Sequence, residues 1–323
     1  VKRVLITGGY GFVGANLVRR LLSEGHDVHL MTRPGSSLWR IEPLLGSLHL
    51  HPLHGSDVEG VSKVVEAARP DWVFHLAAHG SYPHQQDRER MLSTNLLFTM
   101  SLLDACVQVG FETLVNAGSS SEYGLKDHAP GEDESLDPAT FYGVTKAAAT
   151  IYCGFVARRN KANICTLRLY SVFGPFEDSA RLMPRIILLG LAGTLPALAR
   201  PDLAHDFVYV GDVIDAFLMA ANEPRHEAGA IYNVGTGIQV SLKEVVDTAR
   251  EHLGIEAQPV WGSMPDREWD TSVWVANIRK IRERIGWKPA HSFKQGFIEM
   301  VEWFRANLPL YQQGNRDLTR PGA

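Results

Sequence analysis

The tyrosine and lysine of Tyr142-Gly143-Val144-Thr145-Lys146 stand four residues apart, so on a helix their side chains share one face. An ammonium beside a phenol stabilises the phenolate and draws the tyrosine pKa down toward working pH. A tyrosine so placed can exchange a proton with a hydroxyl while hydride leaves or reaches the same carbon. On its own the pair is no more than a common surface arrangement. What gives it meaning is Gly118-Ser119-Ser120-Ser121-Glu122-Tyr123-Gly124, directly after the apolar run at 113–117. Loops at the carboxyl ends of parallel strands are where open α/β sheets bind and react ligands. A serine hydroxyl there can hydrogen-bond the reacting oxygen and position it for Tyr142.

A hydride needs a carrier, and the run Val4-Leu5-Ile6-Thr7-Gly8-Gly9-Tyr10-Gly11-Phe12-Val13-Gly14 supplies its seat. Gly8, Gly11 and Gly14 follow a β-favouring stretch, and Leu17, Val18, Leu21 and Leu22 continue at helical period. Glycine at the turn permits positive φ, the next lets backbone N–H groups approach a pyrophosphate, and the third lets helix and strand pack closely. Dinucleotide binding is the expectation.

The elements that must position these groups alternate along the chain. Strands are expected at 28–31, 48–53, 72–76, 113–117 and 164–169, and helices at 61–68, 91–109 and 142–158. Such βαβ alternation implies an α/β fold with a Rossmann-type, doubly wound parallel sheet covered on both faces. Regularity weakens after about 171, where prolines punctuate shorter elements. The expected division is a dinucleotide-binding domain at 1–170, with 207–222 returning to it. A smaller mixed substrate lobe then comprises 171–206 and 223–315, and 316–323 forms a frayed tail. An apolar share of 45%, a charged share of 21% and a net charge of −4 fit a globular protein with no general pull toward nucleic acid or anionic membrane. No apolar run of about 18 residues is evident, and the first strand occupies the place a leader would take. Cys106, Cys153 and Cys165 are unpatterned, which fits buried thiols in a reducing, cytoplasmic setting.

With these motifs assembled, the chain resembles the extended short-chain dehydrogenases/reductases of the nucleotide-sugar epimerase, dehydratase and ketoreductase type. The likeness covers nearly the whole length: Thr7 to Gly14, His75-Leu76-Ala77-Ala78, Asn95, Ser119 to Gly124, Tyr142 to Lys146, Leu167 to Pro175, His205 to Val213, Tyr232 to Gly237 and Gly286-Trp287-Lys288-Pro289. The resemblance implies an enzyme with Ser119 at the catalytic serine position, Tyr142 as acid/base, and Lys146 lowering its pKa while holding the nicotinamide ribose. It also implies that Leu76, Ala77 and Ala78 line the cofactor together with Tyr170 and Val172. Asp57 and Val58 would meet the adenine, and Asn95 would support the active-site helix. Helices 91–109 and 142–158 would pair with their copies in a homodimer.

Cofactor choice is read at the end of the second strand. The acidic residue that would hold a ribose 2′-hydroxyl is replaced by Thr32, followed by Arg33 and, nearby, Ser37. A guanidinium among hydroxyls suits a 2′-phosphate, so NADP(H) is favoured and NAD(H) is the alternative. That choice leads to NADPH-dependent reduction of a nucleotide-linked 4-keto sugar as the expected activity. The runner-up is a 4-epimerase or 4,6-dehydratase that retains NAD. A reductase of another carbonyl, or a cofactor sensor without catalysis, completes the range. Relatives that dehydrate carry an acid where this chain has Ser121, leaving Glu122, one residue on, as the candidate. Substrate contacts are expected from Ser120, Ser121, Tyr82, Ser171, His205 and Arg267, with His84, Gln85 and Arg181 as weaker candidates. His49, His51 and His54 lack an acidic or cysteine partner in sequence, so no metal is expected.

Overall fold

A computed structural model describes residues 1–53, 57–82, 84–264 and 271–314. Strands β1 (Arg3–Thr7), β2 (Asp27–Thr32), β3 (His49–Pro52), β4 (Trp72–His75), β5 (Thr113–Ser119) and β6 (Ile164–Leu169) form the first part of the chain. Helices α1 (Phe12–Ser23), α2 (Val58–Ala68), α3 (Arg88–Leu92), α4 (Phe98–Val109) and α5 (Phe141–Asn160) connect them. A π-helical turn, Ser93–Leu97, joins α3 to α4. Then follow β7 (Ser171–Phe173), α6 (Leu182–Gly190), β8 (Ala204–His205), β9 (Phe207–Tyr209), α7 (Val210–Asn222) and β10 (Ala230–Val234). The chain closes with β11 (Val240–Ser241), α8 (Leu242–Leu253), α9 (Arg279–Ile285) and α10 (Phe293–Gly314).

The seven-stranded sheet has the order β10-β6-β5-β4-β1-β2-β3, and its pairings are parallel. The order reverses between β1 and β4, so the loops leaving those strands diverge and open a crevice at their carboxyl ends. Alternation along β1 shows why both faces are covered. Val4 and Ile6 pack with Leu17, Val18, Leu21, Val213 and Phe217, while Leu5 packs with Val61, Val65, Leu102 and Cys106. Fully burying each such side chain contributes about 1.5–3 kcal/mol. A separate core of Phe173, Met183, Ile186, Phe207, Val245, Phe297, Met300 and Phe304 holds the C-terminal lobe together.

Two expectations need amendment. The chain returns to the sheet beyond 222, because β10 pairs with β6 from Ala230 to Val234; part of the stretch assigned to the lobe is sheet. Helix Arg88–Val109 is long and apolar enough to cross a membrane by length and composition alone. It instead packs beside α2 and α5 with Met91, Leu102, Leu103 and Cys106 buried, as a helix covering a parallel sheet must. Finally, 316–323 lies outside the described residues, as does His54. The cysteines are free and buried.

Candidate active site

At the crevice the loops after β1 and β4 meet backbone to backbone. Gly8 has φ +71°, and a Cβ there would lie 2.7 Å from the Ala77 nitrogen and 2.8 Å from the Leu76 oxygen. A Cβ on Gly14 would lie 2.3 Å from the Gly8 carbonyl oxygen. Only glycine allows α1 to start this close to the sheet. Gly11, its N-cap, brings no side-chain cap, which leaves the positive end of the helix available to an anion. A dinucleotide's pyrophosphate fits this cradle.

Beneath it runs a chain of buried polar groups. Thr99 Oγ1 donates to the Asn95 carbonyl at 2.8 Å and lies 2.8 Å from His75 Nε2. His75 Nε2 therefore donates, and its Nδ1 accepts from Thr7 Oγ1 at 2.6 Å. Thr7 in turn accepts the Ala77 N–H at 3.2 Å, fixing the loop that follows β4. Burial, with Lys146 nearby, lowers the His75 pKa to about 3, so this imidazole is a neutral strut. Asn95, in the π-helical turn, accepts from the His79 N–H and donates to the His79 carbonyl and to Thr145 Oγ1. It thus ties the same loop to the helix of Tyr142 and Lys146.

Ser119 ends β5 and caps the 3-10 turn Ser120–Glu122, accepting from the Ser121 N–H at 3.2 Å. Thr140 caps α5 by accepting from Gly143, and Tyr142 lies in its first turn. A Cβ on Gly143 would come within 2.5 Å of the Ser121 carbonyl oxygen, so helix and serine loop touch at the level of the tyrosine. The Ser119 hydroxyl is near enough to the Tyr142 phenol to favour its ionised form. One turn on, Lys146 is buried and donates to the Ala117 carbonyl at 2.6 Å. Burial lowers the lysine pKa and is opposed by the charge of Glu122.

The expected lowering of the tyrosine pKa is not seen here. Burial pushes Tyr142 up to about 12, with the Ser119 hydroxyl pulling the other way. Desolvation of a phenolate outweighs that pull, and the lysine ammonium is engaged by a backbone carbonyl.

Glu122 is the second correction. Its side chain is fully buried. Oε1 accepts from the Ser119 N–H at 2.8 Å and from Thr150 Oγ1 at 3.0 Å, and Oε2 takes Arg168 Nε at 2.8 Å. The arginine also donates to the Glu132 carbonyl and lies over the Tyr123 ring. These contacts hold Glu122 beneath the serine loop as a brace.

The remaining candidates spread around the crevice. Thr32 is buried at the end of β2, whereas Arg33 and Ser37 are exposed on the following loop. Asp57 stands exposed at the N-cap position of α2 without a side-chain cap, and Val58 is exposed beside it. Phe12, Val13, Leu76 and Ala77 are half-buried, and Ala78 is exposed. Tyr170 is buried and Val172 half-buried. Ser120 is buried and Ser121 half-buried in the serine loop. Tyr82 stacks on His84, and the Arg181 guanidinium lies 5.5 Å from its ring centroid. Ser171 Oγ and His205 Nδ1 are brought to 3.4 Å. Arg267 lies outside the described residues. Sequence reading missed Asp206, whose buried carboxylate accepts from Thr236 N and Oγ1, Gly237 N and Ala276 N. It also missed Glu177, pushed up to about 8 by burial beside Arg181. An acidic residue within an apolar-flanked motif was the only available signal for either.

The comparisons with known proteins agree with this architecture. The sequence model of the NAD dependent epimerase/dehydratase family matches residues 4–235. UDP-glucose 4-epimerase of Mycolicibacterium smegmatis is 29% identical over 320 residues, covering 94% of this chain and 98% of that one. dTDP-D-glucose 4,6-dehydratase of Mus musculus is 26% identical over 331 residues, covering 98% of this chain and 92% of its own. Among solved structures, MoeE5 in complex with UDP-glucose and NAD superposes with a TM-score of 0.82 at 32% identity, covering 94% of this chain and 99% of that chain.

Proposed function

Because the chain belongs to the NAD-dependent epimerase/dehydratase family, we propose that it is a 4-epimerase of a nucleotide sugar that keeps NAD bound through each turnover. The observation that carries this reading is the burial of Glu122 in its ion pair with Arg168. A dehydratase needs an acid to protonate a departing hydroxyl, and the serine loop offers its substrate side only hydroxyls. Net reduction with NADPH, expected from Thr32 and Arg33, is less well supported. The relatives named above are an epimerase and a dehydratase, and MoeE5 holds NAD.

When bound, the nicotinamide supplies reversible hydride acceptance at the sugar's C4; the chain's own residues do the rest. Tyr142, as phenolate, would take the C4 hydroxyl proton and return it to the same oxygen once the sugar has turned its opposite face to the nicotinamide. Ser119, near the phenol, would orient that oxygen with its hydroxyl. Lys146, fixed by the Ala117 carbonyl, would hold positive charge near the nicotinamide ribose and favour the phenolate form of Tyr142 once the cofactor is bound. Gly8, Gly11 and Gly14 would hold the pyrophosphate by backbone contact, and Asp57 would meet the adenine. MoeE5 and the mycobacterial epimerase suggest UDP-hexose as substrate.

Two identical chains are the expected assembly. The outward side of Arg88–Val109 and α5 exposes Leu92, Leu97, Val144, Ile151 and Phe155, an apolar surface that a second copy would cover. The free, buried cysteines suit the reducing cytoplasm in which we place the protein.

The direct test is to denature purified protein, identify any released dinucleotide by mass spectrometry, and assay UDP-glucose/UDP-galactose interconversion without added cofactor. Retained NAD and cofactor-independent interconversion are expected. Protein that arrives empty and consumes NADPH would overturn the epimerase reading in favour of reduction.

A further inference from the structure

The parallel pair β2 and β3 sets His29 opposite His49. Side chains alternate along a strand, so Asp27 and His29 share a sheet face with His49 and His51. On that face the Asp27 Oδ1 to His49 Nε2 distance is 3.1 Å, and Asp27 Oδ2 to His29 Nε2 is 3.4 Å. One ligand atom from each of the three residues lies within 4.8 Å of the other two. The His29 and His49 rings stack with centroids 4.6 Å apart. We propose that Asp27, His29 and His49 form a binding site for a late first-row divalent cation, zinc above all.

Around zinc with bonds of about 2.0–2.1 Å, tetrahedral ligand atoms lie about 3.3–3.4 Å apart. The imidazole nitrogens lie near that spacing from one oxygen each of the Asp27 carboxylate, and a turn of the carboxylate and of the exposed His49 ring would gather three ligand atoms, already within 4.8 Å of one another, on one ion. Water takes the fourth position. His51 supplies the orienting contact: its Nε2 lies 3.0 Å from His29 Nδ1. A His29 Nδ1–H donated to His51 leaves the Nε2 lone pair pointing toward Asp27 and His49, the tautomer a metal requires. Two imidazoles and a carboxylate favour zinc, nickel or copper over magnesium or calcium. The acidic partner missing from the sequence neighbourhood of His49 and His51 is thus Asp27, delivered by the adjacent strand. An ion here clasps edge strand β3 to β2 at the end of the sheet remote from the serine loop, so its role is structural.

The test uses full-length protein without a histidine tag, stripped with a chelator and titrated with Co²⁺ and then Zn²⁺. Cobalt is expected to bind at one ion per chain with d–d bands of tetrahedral intensity, and zinc to displace it and raise the unfolding midpoint. Asp27→Asn and His49→Ala are expected to abolish the bands, and His51→Phe to weaken binding by about 10–100-fold. The absence of d–d bands from the unmutated protein overturns the proposal whatever the variants do. So do bands that survive in Asp27→Asn and His49→Ala.

Discussion

The floor of the crevice and its rim are built on different terms. Under the reacting groups, Thr7, His75, Asn95, Thr99, Glu122, Lys146 and Arg168 are all buried, and each has a named hydrogen-bond partner. Around the rim, Arg33, Ser37, Asp57 and Ala78 are exposed, and Tyr82 is half-buried. In the floor the low dielectric makes an unpaired polar group expensive, so each residue has one workable arrangement. On the rim, water satisfies whatever the ligand does not. Catalytic apparatus therefore resides where alternatives are costly, and ligand choice where they are cheap.

The comparison breaks most visibly at the tyrosine. Tyr142→Phe is expected to lower turnover by about 10²–10⁴-fold, the worth of a positioned acid/base, while the unfolding midpoint hardly moves. A variant that loses stability instead of turnover would place Tyr142 with the braces.

Glu122→Gln should do the opposite. It leaves Arg168 buried without its counter-charge, a loss of about 3–5 kcal/mol, read by denaturant unfolding. Turnover per folded molecule is expected to fall far less than in the tyrosine variant. A selective collapse of turnover would restore Glu122 as a reacting acid and favour dehydration.

Glu177 sharpens the contrast through pH. Burial raises its folded pKa from 4.5 to about 8, with Arg181 opposing and Asp178 assisting. The folded chain thus holds a proton that the unfolded chain has released. Its contribution is fully present below about pH 4.5 and drains away as pH rises toward 8, at up to about 1.4 kcal/mol per unit. Unfolding curves of Glu177→Gln should lack that slope between pH 5 and 8. An unchanged slope would show that Glu177 is ionised in the folded protein.

The rim should yield the smallest effect. Arg33→Ala is expected to change NAD affinity by less than about tenfold, as for a solvated group, in equilibrium titration of cofactor-free protein. A large loss confined to NADPH would return the arginine to the role of 2′-phosphate reader.

Several elements that line the crevice are local and were readable from spacing. Strand–glycine–helix grammar, the helical turn between Tyr142 and Lys146, and serines at a strand end are all relations within a few residues. Their geometry follows from backbone period alone. The same spacing carried no sign of the burial that raises the Tyr142 pKa or of the ion pair that holds Glu122. Ionisation depends on burial and on partners such as Ala117 and Arg168, which lie far away in sequence. The tertiary structure also decided where the chain re-enters the sheet, since β10 pairs with a strand formed many residues earlier. Likewise it gave His29 and His49 their carboxylate neighbour. What the sequence determined by itself is what period and local chemistry dictate: the βαβ alternation, the glycine cradle and the candidate trio of Ser119, Tyr142 and Lys146. Which groups are desolvated, and which charges meet, was left to the packing of distant segments, because dielectric and distance exist only once the chain has folded.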